Sequence, residues 1–325
     1  MPSATLAFTR SCSRVTALRD SILVFGASGF VGSALTHALA ERDERVIAVS
    51  RRPVDLHMKN VEVITSNLSQ VEHFLPLLKR SRVVVYAASC STPGSSADRP
   101  MEELQHNLRP LVTMLQALQC HPQTELLYLS SGGSLYSTNP GESAKENSAI
   151  QPRSYHGASK VAAEHFIGAW CSQYDGSATI LRPSNLYGPG QIVRAGFGIV
   201  PACMKKISRG ETLSVWGDGS VVRDYLYIDD FIKLCVAVAE TPAPVGHRPY
   251  NAASGIGISL NTLFDTLQSV TGKFLYRDYD ASRAVDAPYI VMDAGSAKEQ
   301  FGWSAGTSLR EGLEKTWAWF NTTQP

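Results

Sequence analysis

The stretch "SILVFGASGFVGSALTHALAER", residues 21–42, decides the fold. It opens as a continuous apolar run, turns at a glycine, and continues with the apolar spacing of an amphipathic helix. An apolar run without polar alternation predicts a strand buried on both faces. Gly26, Gly29 and Gly32 recur every three residues across the strand–helix junction. Gly26 permits a tight turn, Gly29 lets the backbone approach a pyrophosphate, and Gly32 lets the helix pack close to the sheet. A glycine triplet alone is a weak sign, because strand–helix turns use glycine for steric reasons. Its place after the first strand of a long series gives it weight as a dinucleotide cradle, with the pyrophosphate on the helix N-terminus.

The series continues with "RVIAVS", "VEVITS" and "RVVVYAAS" as strands and "MEELQHNLRPLVTMLQALQ" as a helix. Then come "ELLYLSS" as a strand, "YHGASKVAAEHFIGAWCSQY" as a helix and "ATILRPSN" as a strand. Short Val/Ile-rich strands separated by helices predict an α/β fold, a Rossmann-type doubly wound parallel sheet covered on both faces. After Asn185 the chain turns Gly-rich and mixes short strands with turns, which predicts a smaller, discontinuous α/β substrate domain beyond the carboxyl ends of the strands. The expected division is 21–185 plus about 221–253 for the dinucleotide lobe, and about 186–220 plus 254–325 for the other. Residues 1–20 read as a disordered N-terminal extension, although an organelle transit peptide has a similar arginine-bearing, acid-poor composition.

The chain has 325 residues, enough for a sizeable core. Lys plus Arg is 30 and Asp plus Glu is 29, a balance that argues against a broad nucleic-acid surface. Six cysteines are scattered without a C-x-x-C pair, which suits free thiols in the cytoplasm. No apolar run approaches a membrane span, so no membrane partner is expected.

The end of the second strand bears on the cofactor. An acid there would bind a ribose 2′-OH, but this chain has Ser50, Arg51 and Arg52, which suit a 2′-phosphate. NADP is therefore favoured, with NAD as the alternative if an arginine stacks on adenine instead. The full set expected at the cofactor is Gly26, Gly29, Phe30, Val31, Gly32, Ser50, Arg51, Arg52, Asn67, Leu68, Ala87, Ala88, Lys160 and Pro183.

"GASGFVG", "SSGGSLY", "GASKVAAE", "ILRPSNLYGPGQ", "VWGDGSVVRDYLYIDD", "YNAASG" and "FGW" together resemble the extended short-chain dehydrogenase/reductases. The nearest group is the nucleotide-sugar epimerases and dehydratases typified by UDP-glucose 4-epimerase. The resemblance runs from about residue 21 to the C-terminal helix. It implies a nucleoside-diphosphate-sugar substrate and a homodimer built on the helices 101–119 and 157–171. It also implies that Asn185, Arg223 and Arg283 meet the diphosphate, that Asp286 joins Arg283 on phosphate and ribose, and that Trp216 lies by the base. Two arginines on a diphosphate would make charge-assisted, bidentate bonds.

Members of the group use a Ser or Thr, a Tyr and a Lys to move a proton and a hydride. Lys160 matches the Lys. The hydroxyl position holds Gly132, with Ser134 as first substitute and Ser131 as second; both could equally cap the strand end. If the strand continues, Ser134 shares a face with Gly132. Acidic or cysteine side chains used by dehydratases, decarboxylases and 3,5-epimerases at Gly133 and Ser134 are missing, which leaves C4 epimerisation or single-carbon oxidoreduction. His156 occupies the Tyr position and Tyr155 precedes it. Residues four apart share a helix face and residues five apart do not, so a regular helix turns His156 toward the Lys160 side. A bulge or an irregular start would bring Tyr155 back. Three readings stay open: an enzyme using His156, one using Tyr155, or a catalytically degenerate nucleotide-sugar binder.

Overall fold

The computed structural model describes residues 19–67, 69–193, 198–282 and 287–323. In chain order, the first half runs β1 (Ser21–Phe25), α1 (Phe30–Ala40), β2 (Arg45–Ser50), β3 (Val61–Thr65), α2 (Val71–Leu78) and β4 (Ser81–Tyr86). It continues with α3 (Pro100–Glu103), a π-helical turn (Leu104–Leu108), α4 (Arg109–Leu118), β5 (Glu125–Leu129), α5 (Gly132–Leu135), α6 (Tyr155–Tyr174) and β6 (Ser177–Pro183). The second half runs β7 (Asn185–Tyr187), α7 (Ile199–Arg209), β8 (Leu213–Trp216), β9 (Val222–Tyr227), α8 (Ile228–Glu240) and β10 (Gly246–Ala252). It ends with β11 (Gly257–Ser259), α9 (Leu260–Thr271), β12 (Arg277–Asp280), β13 (Tyr289–Ile290), α10 (Gly295–Phe301) and α11 (Leu309–Thr323).

Seven strands make one sheet in the order β10-β6-β5-β4-β1-β2-β3, and every neighbouring pair is parallel. Side chains alternate across a strand, so a sheet covered on both sides needs apolar residues at every position. β1 meets that need: Ile22 and Val24 enter one core, and Leu23 and Phe25 enter the other. Leu35 and Leu39 of α1 and Phe231 of α8 pack on the first side. Phe74 of α2, Met114 of α4 and Ile167 of α6 pack on the second. This is the doubly wound Rossmann-type architecture read from the sequence.

A second sheet has the order β11-β9-β13, with β7 paired to β9, and β8 pairs with β12 beside it. Of residues 221–253, α8 packs on α1 and β10 extends the seven-stranded sheet, whereas β9 pairs within the second sheet. The strand order reverses at β1 and β4, which puts the ligand crevice at their carboxyl ends.

Helix α6 carries the decisive side chains. Ser154 caps it by accepting a hydrogen bond from Gly157 N at 3.1 Å, and Asp175 in the left-handed region ends it. His156, Lys160, Ala163, Glu164 and Ile167 face inward. Glu164 forms a buried ion pair with Arg182 of β6, with Arg182 Nε donating to Oε1 at 3.1 Å and the second guanidinium arm donating to Oε2. Ser130 Oγ donates to the same Oε1 at 2.6 Å. Arg182 also donates to Tyr136 Oη and to Glu146 O, and Tyr136 Oη donates to Asn251 Oδ1 of β10 at 3.0 Å. Removing one member of such a pair leaves an uncompensated buried charge, a loss of about 3–5 kcal/mol.

The helix from Pro100 to Leu118 is broken into a π turn for a local reason. Pro110 has no N–H for the carbonyl of His106, and its ring crowds that carbonyl. The chain widens: Arg109 N donates to Leu104 O, five residues back, and Cys90 Sγ approaches His106 O at 3.8 Å. Among the described residues no helix is long and apolar enough to cross a membrane.

Candidate active site

A glycine turn forms where β1 hands over to α1. Gly26 has φ +86°, and a Cβ there would stand 2.8 Å from Ala88 N. A Cβ on Gly32 would overlap Gly26 O, so the helix can reach the turn only without a side chain. Gly29 is the N-cap of α1, with no side-chain cap and no acid in the first turn, which leaves the first N–H groups, including those of Phe30 and Val31, for an anion. These residues fit a dinucleotide pyrophosphate. Ala87 and Ala88 follow β4 against the cradle, and Pro183 closes β6. Ser50 is buried at the end of β2 with its hydroxyl donated to Arg52 O, while Arg51, Arg52 and Asn67 are exposed. Leu68 lies outside the described residues.

The start of α6 is regular. Tyr155 is its first residue and is 46% exposed, whereas His156 is 7% exposed and Lys160 6%. His156 Nδ1 lies 3.0 Å from Ser91 Oγ, and its backbone N donates to Ser96 Oγ at 3.2 Å. Asn107 spans the same loop: its Oδ1 accepts from Cys90 N at 2.8 Å and its Nδ2 donates to Ser91 Oγ at 3.0 Å. Glu103 Oε1 stands 3.9 Å from His156 Nδ1. Lys160 Nζ donates to Leu129 O at 2.8 Å and lies over the Tyr128 ring.

Burial, then the Lys160 charge, pushes the His156 imidazole down to about 3. Burial pulls the Lys160 ammonium down to about 8, against the opposing pull of Glu103 and Glu164. At neutral pH the imidazole is therefore neutral, able to accept a proton and poised beside a cation.

The serine segment differs from the sequence expectation. β5 ends at Leu129, and Gly132–Leu135 is a single helical turn, so alternation along a strand does not apply to Ser134. On that turn Ser131 Oγ donates to Ser134 Oγ at 3.0 Å, which brings both hydroxyls together. Gly157 of α6 rests on Ser134 O, where a Cβ would collide, so the turn abuts the start of α6. A side chain at Gly132 would overlap the thioether of Met292. The space beside Gly132 is thus filled by Met292, which follows β13.

Asn185, at the head of β7, donates to Asp224 O at 3.0 Å and faces Gly133. Arg223 is half-buried on β9 and donates to Val222 O at 2.8 Å. The neighbouring Asp224 is buried and bound by Ser254 and Gly255 N–H groups, so its carboxylate serves the turn after β10. Trp216 ends β8 and is 47% exposed. Arg283 and Asp286 lie outside the described residues. A hollow of about 300 Å³ lined by Thr212 and residues 274–279 contains none of these groups. Sequence reasoning missed Ser91, Ser96, Glu103, Asn107 and Met292. The sequence held no signal for Glu103, which adjoins an exposed acid, Glu102, in the same helix.

The chain belongs to the NAD dependent epimerase/dehydratase family, whose model matches residues 22–253. It is 28% identical over 312 residues to UDP-glucose 4-epimerase of Mycolicibacterium smegmatis, covering 92% of this chain and 97% of that one. It is 25% identical over 310 residues to dTDP-4-dehydro-6-deoxyglucose reductase of Escherichia coli, with the same coverages. MoeE5, solved in complex with UDP-glucuronic acid and NAD, superposes with a TM-score of 0.86 at 26% identity, over 93% of this chain and 99% of that one.

The depressed His156 pKa sets an acid limb in stability. The unfolded imidazole takes up a proton near pH 6.5, and the folded one only near pH 3. Stability from this group is thus full above about pH 6.5 and declines as pH falls toward 3. Urea denaturation of the native chain and His156→Asn at pH 7.5 and pH 5 should show a pH effect larger by about 2 kcal/mol in the native chain. The Lys160 window lies above pH 8 and does not enter. Equal pH effects in the two proteins would refute the assignment.

Proposed function

We propose that this chain is an NAD(P)-dependent nucleotide-sugar enzyme that epimerises C4, or oxidises and reduces a single carbon, of a UDP-sugar. One observation carries the reading: His156 and Lys160 lie one helical turn apart on the buried face of α6, close enough for the Lys160 charge to act on the imidazole. The named relatives, an epimerase and a reductase, support both arms of it. When bound, the nicotinamide accepts a hydride from the sugar carbon and can return it. His156 takes the hydroxyl proton, Lys160 holds the nicotinamide ribose and keeps the imidazole neutral, and Ser134 with Ser131 orients the hydroxyl. Asn185, Arg223 and Arg283 hold the diphosphate, Asp286 the ribose, and Trp216 the base.

A second reading, a binder without turnover, draws support from Met292 filling the space of the family hydroxyl beside Gly132. The cofactor proposed is NADP rather than NAD, because the two arginines after β2 are exposed and Ser50, not an acid, ends the strand. The proposed assembly is a homodimer through α3, α4 and α6, whose outer faces expose Met101, Leu104 and Phe166.

Light scattering at micromolar concentration should give the mass of a dimer; a monomer alone would remove the assembly. Calorimetric titration should show tighter binding of NADP than NAD, and Arg51→Asp should reverse the order. Equal or better affinity for NAD in the native chain would refute the 2′-phosphate reading. Single-turnover cofactor reduction with UDP-sugars, read by nicotinamide absorbance, should fall at least about 100-fold in His156→Ala. Tyr155→Phe should remain near the native rate. Loss in Tyr155→Phe alone would transfer the role to Tyr155, and tight binding without turnover in any protein would favour the binder.

A further inference from the structure

Glu103 breaks a local rule. It closes α3 with Met101 61% and Leu104 46% exposed, yet is itself only 4% exposed. Both carboxyl oxygens are inaccessible and without a hydrogen-bond partner. A buried carboxyl left without a hydrogen-bond partner is unfavourable, which points to a use for its charge other than packing. Its Oε1 points at His156 Nδ1 from 3.9 Å. That is too far for a hydrogen bond and close for an electrostatic interaction in a dry site. Full burial of both oxygens keeps Glu103 from touching a substrate, so it acts through its charged or titratable neighbours, the His156 imidazole and the Lys160 ammonium.

The ring nitrogens leave one open choice. Asn107 Nδ2 already donates to Ser91 Oγ, which retains one hydrogen and one lone pair. Nδ1 can accept that hydrogen or donate to that lone pair. In the first case Nε2 carries the ring proton and cannot act as a base. In the second, Nδ1–H faces the carboxylate and Nε2 is the acceptor. The groups facing the ring are Ser91 and Ser96 from the loop after β4, Glu103 from α3 and Lys160 from α6. Of these, Glu103 is the anion, and it favours a proton on the nitrogen nearest to it. The same carboxylate offsets the Lys160 cation, which opposes the imidazolium.

We propose that Glu103 is a positioning residue whose buried carboxylate holds His156 as the Nδ1–H tautomer, keeps Nε2 as the proton acceptor and stabilises the imidazolium. The catalytic part rests on His156 being the base; the tautomer part does not. In the step, the O–H bond of the sugar hydroxyl breaks and its proton bonds to Nε2. A bound nicotinamide would supply the acceptor for the hydride of the same carbon as its C–O bond becomes a carbonyl, and Glu103 exchanges no proton.

The test uses the full chain labelled with ¹⁵N-histidine and two-bond ¹H–¹⁵N correlation spectra at neutral pH, with the His156 signals assigned by their loss in His156→Asn. Native protein should show a protonated Nδ1 and a bare Nε2, and Glu103→Gln should shift the population toward Nε2–H. A native Nε2–H tautomer, or a native pattern unchanged in Glu103→Gln, overturns the proposal. In parallel, single-turnover cofactor reduction should fall about 10–100-fold in Glu103→Gln with unchanged UDP-sugar affinity, and recover in part in Glu103→Asp. A fall in affinity without a fall in rate overturns the positioning role. An Nδ1–H tautomer with no turnover in any protein upholds the tautomer assignment and overturns its catalytic use. Should Glu103→Gln fail to fold, the native spectrum alone decides the tautomer.

Discussion

The buried pair of Glu164 and Arg182 is the constraint on which the site depends. Glu164 follows Lys160 by four residues, and Lys160 follows His156 by four, so the three lie along one face of α6. Once Arg182 of β6 and Ser130 at the end of β5 hold the Glu164 carboxylate, the rotation of the helix about its axis is fixed. His156 and Lys160 then have no choice of direction. The network continues through Tyr136 and Asn251 to β10, tying the turn after β5 and the edge of the sheet to the same helix. Conformational specificity is a good use for a buried ion pair, since such pairs add little net stability over an apolar replacement.

A His in place of a phenol changes the electrostatics of the site more than its outline. A phenol is neutral until it gives up a proton, and a neighbouring ammonium makes that loss easier. An imidazole works in the reverse sense: it must gain a charge beside the same ammonium, in a buried setting that already holds its pKa near 3. The Lys160 cation therefore aids a phenol and opposes an imidazole. A buried anion near the ring is the natural counterweight, and Glu103 Oε1 stands 3.9 Å from Nδ1. The reach of the shorter side chain is met from the loop after β4, where Ser91 and Ser96 fix both ends of His156.

What the sequence disclosed followed from patterns with one physical cause. The glycine triplet predicts a tight strand–helix turn, the apolar runs a parallel sheet, and the four-residue spacing of His156 and Lys160 a shared face in a regular helix, and the structure has all three. The segment "SSGGSLY" had no single reading, because two glycines weaken any strand preference and the chain closes into a helical turn. Alternation was then the wrong rule for Ser134. Glu103 was hidden because nothing in "MEELQHNL" tells which of two adjacent acids turns inward. The face of α6 gave little periodicity for the opposite reason: His, Lys and Glu occupy inward positions that apolar residues would mark. The contact of Met292 with Gly132 joins residues 160 positions apart in the chain, beyond any local pattern.

The features that surround His156 come from one connection, the segment between β4 and α4. It supplies Ser91, Ser96, Glu103 and Asn107. It also holds a π turn, exposed Met101 and Leu104 and a buried acid without a hydrogen-bond partner, and it runs into Pro110 at the start of α4. Each alone is a modest loss of stability. Together they have a common geometric effect. Pro110 forces the wide turn, and the turn carries Asn107 against Cys90 and Ser91, while Glu103 ends the preceding helix facing the imidazole. Regular helix throughout would rotate one of these residues away from the ring, since a π turn advances the face by one residue. The π turn and the placement of the His156 environment are thus the same structural fact.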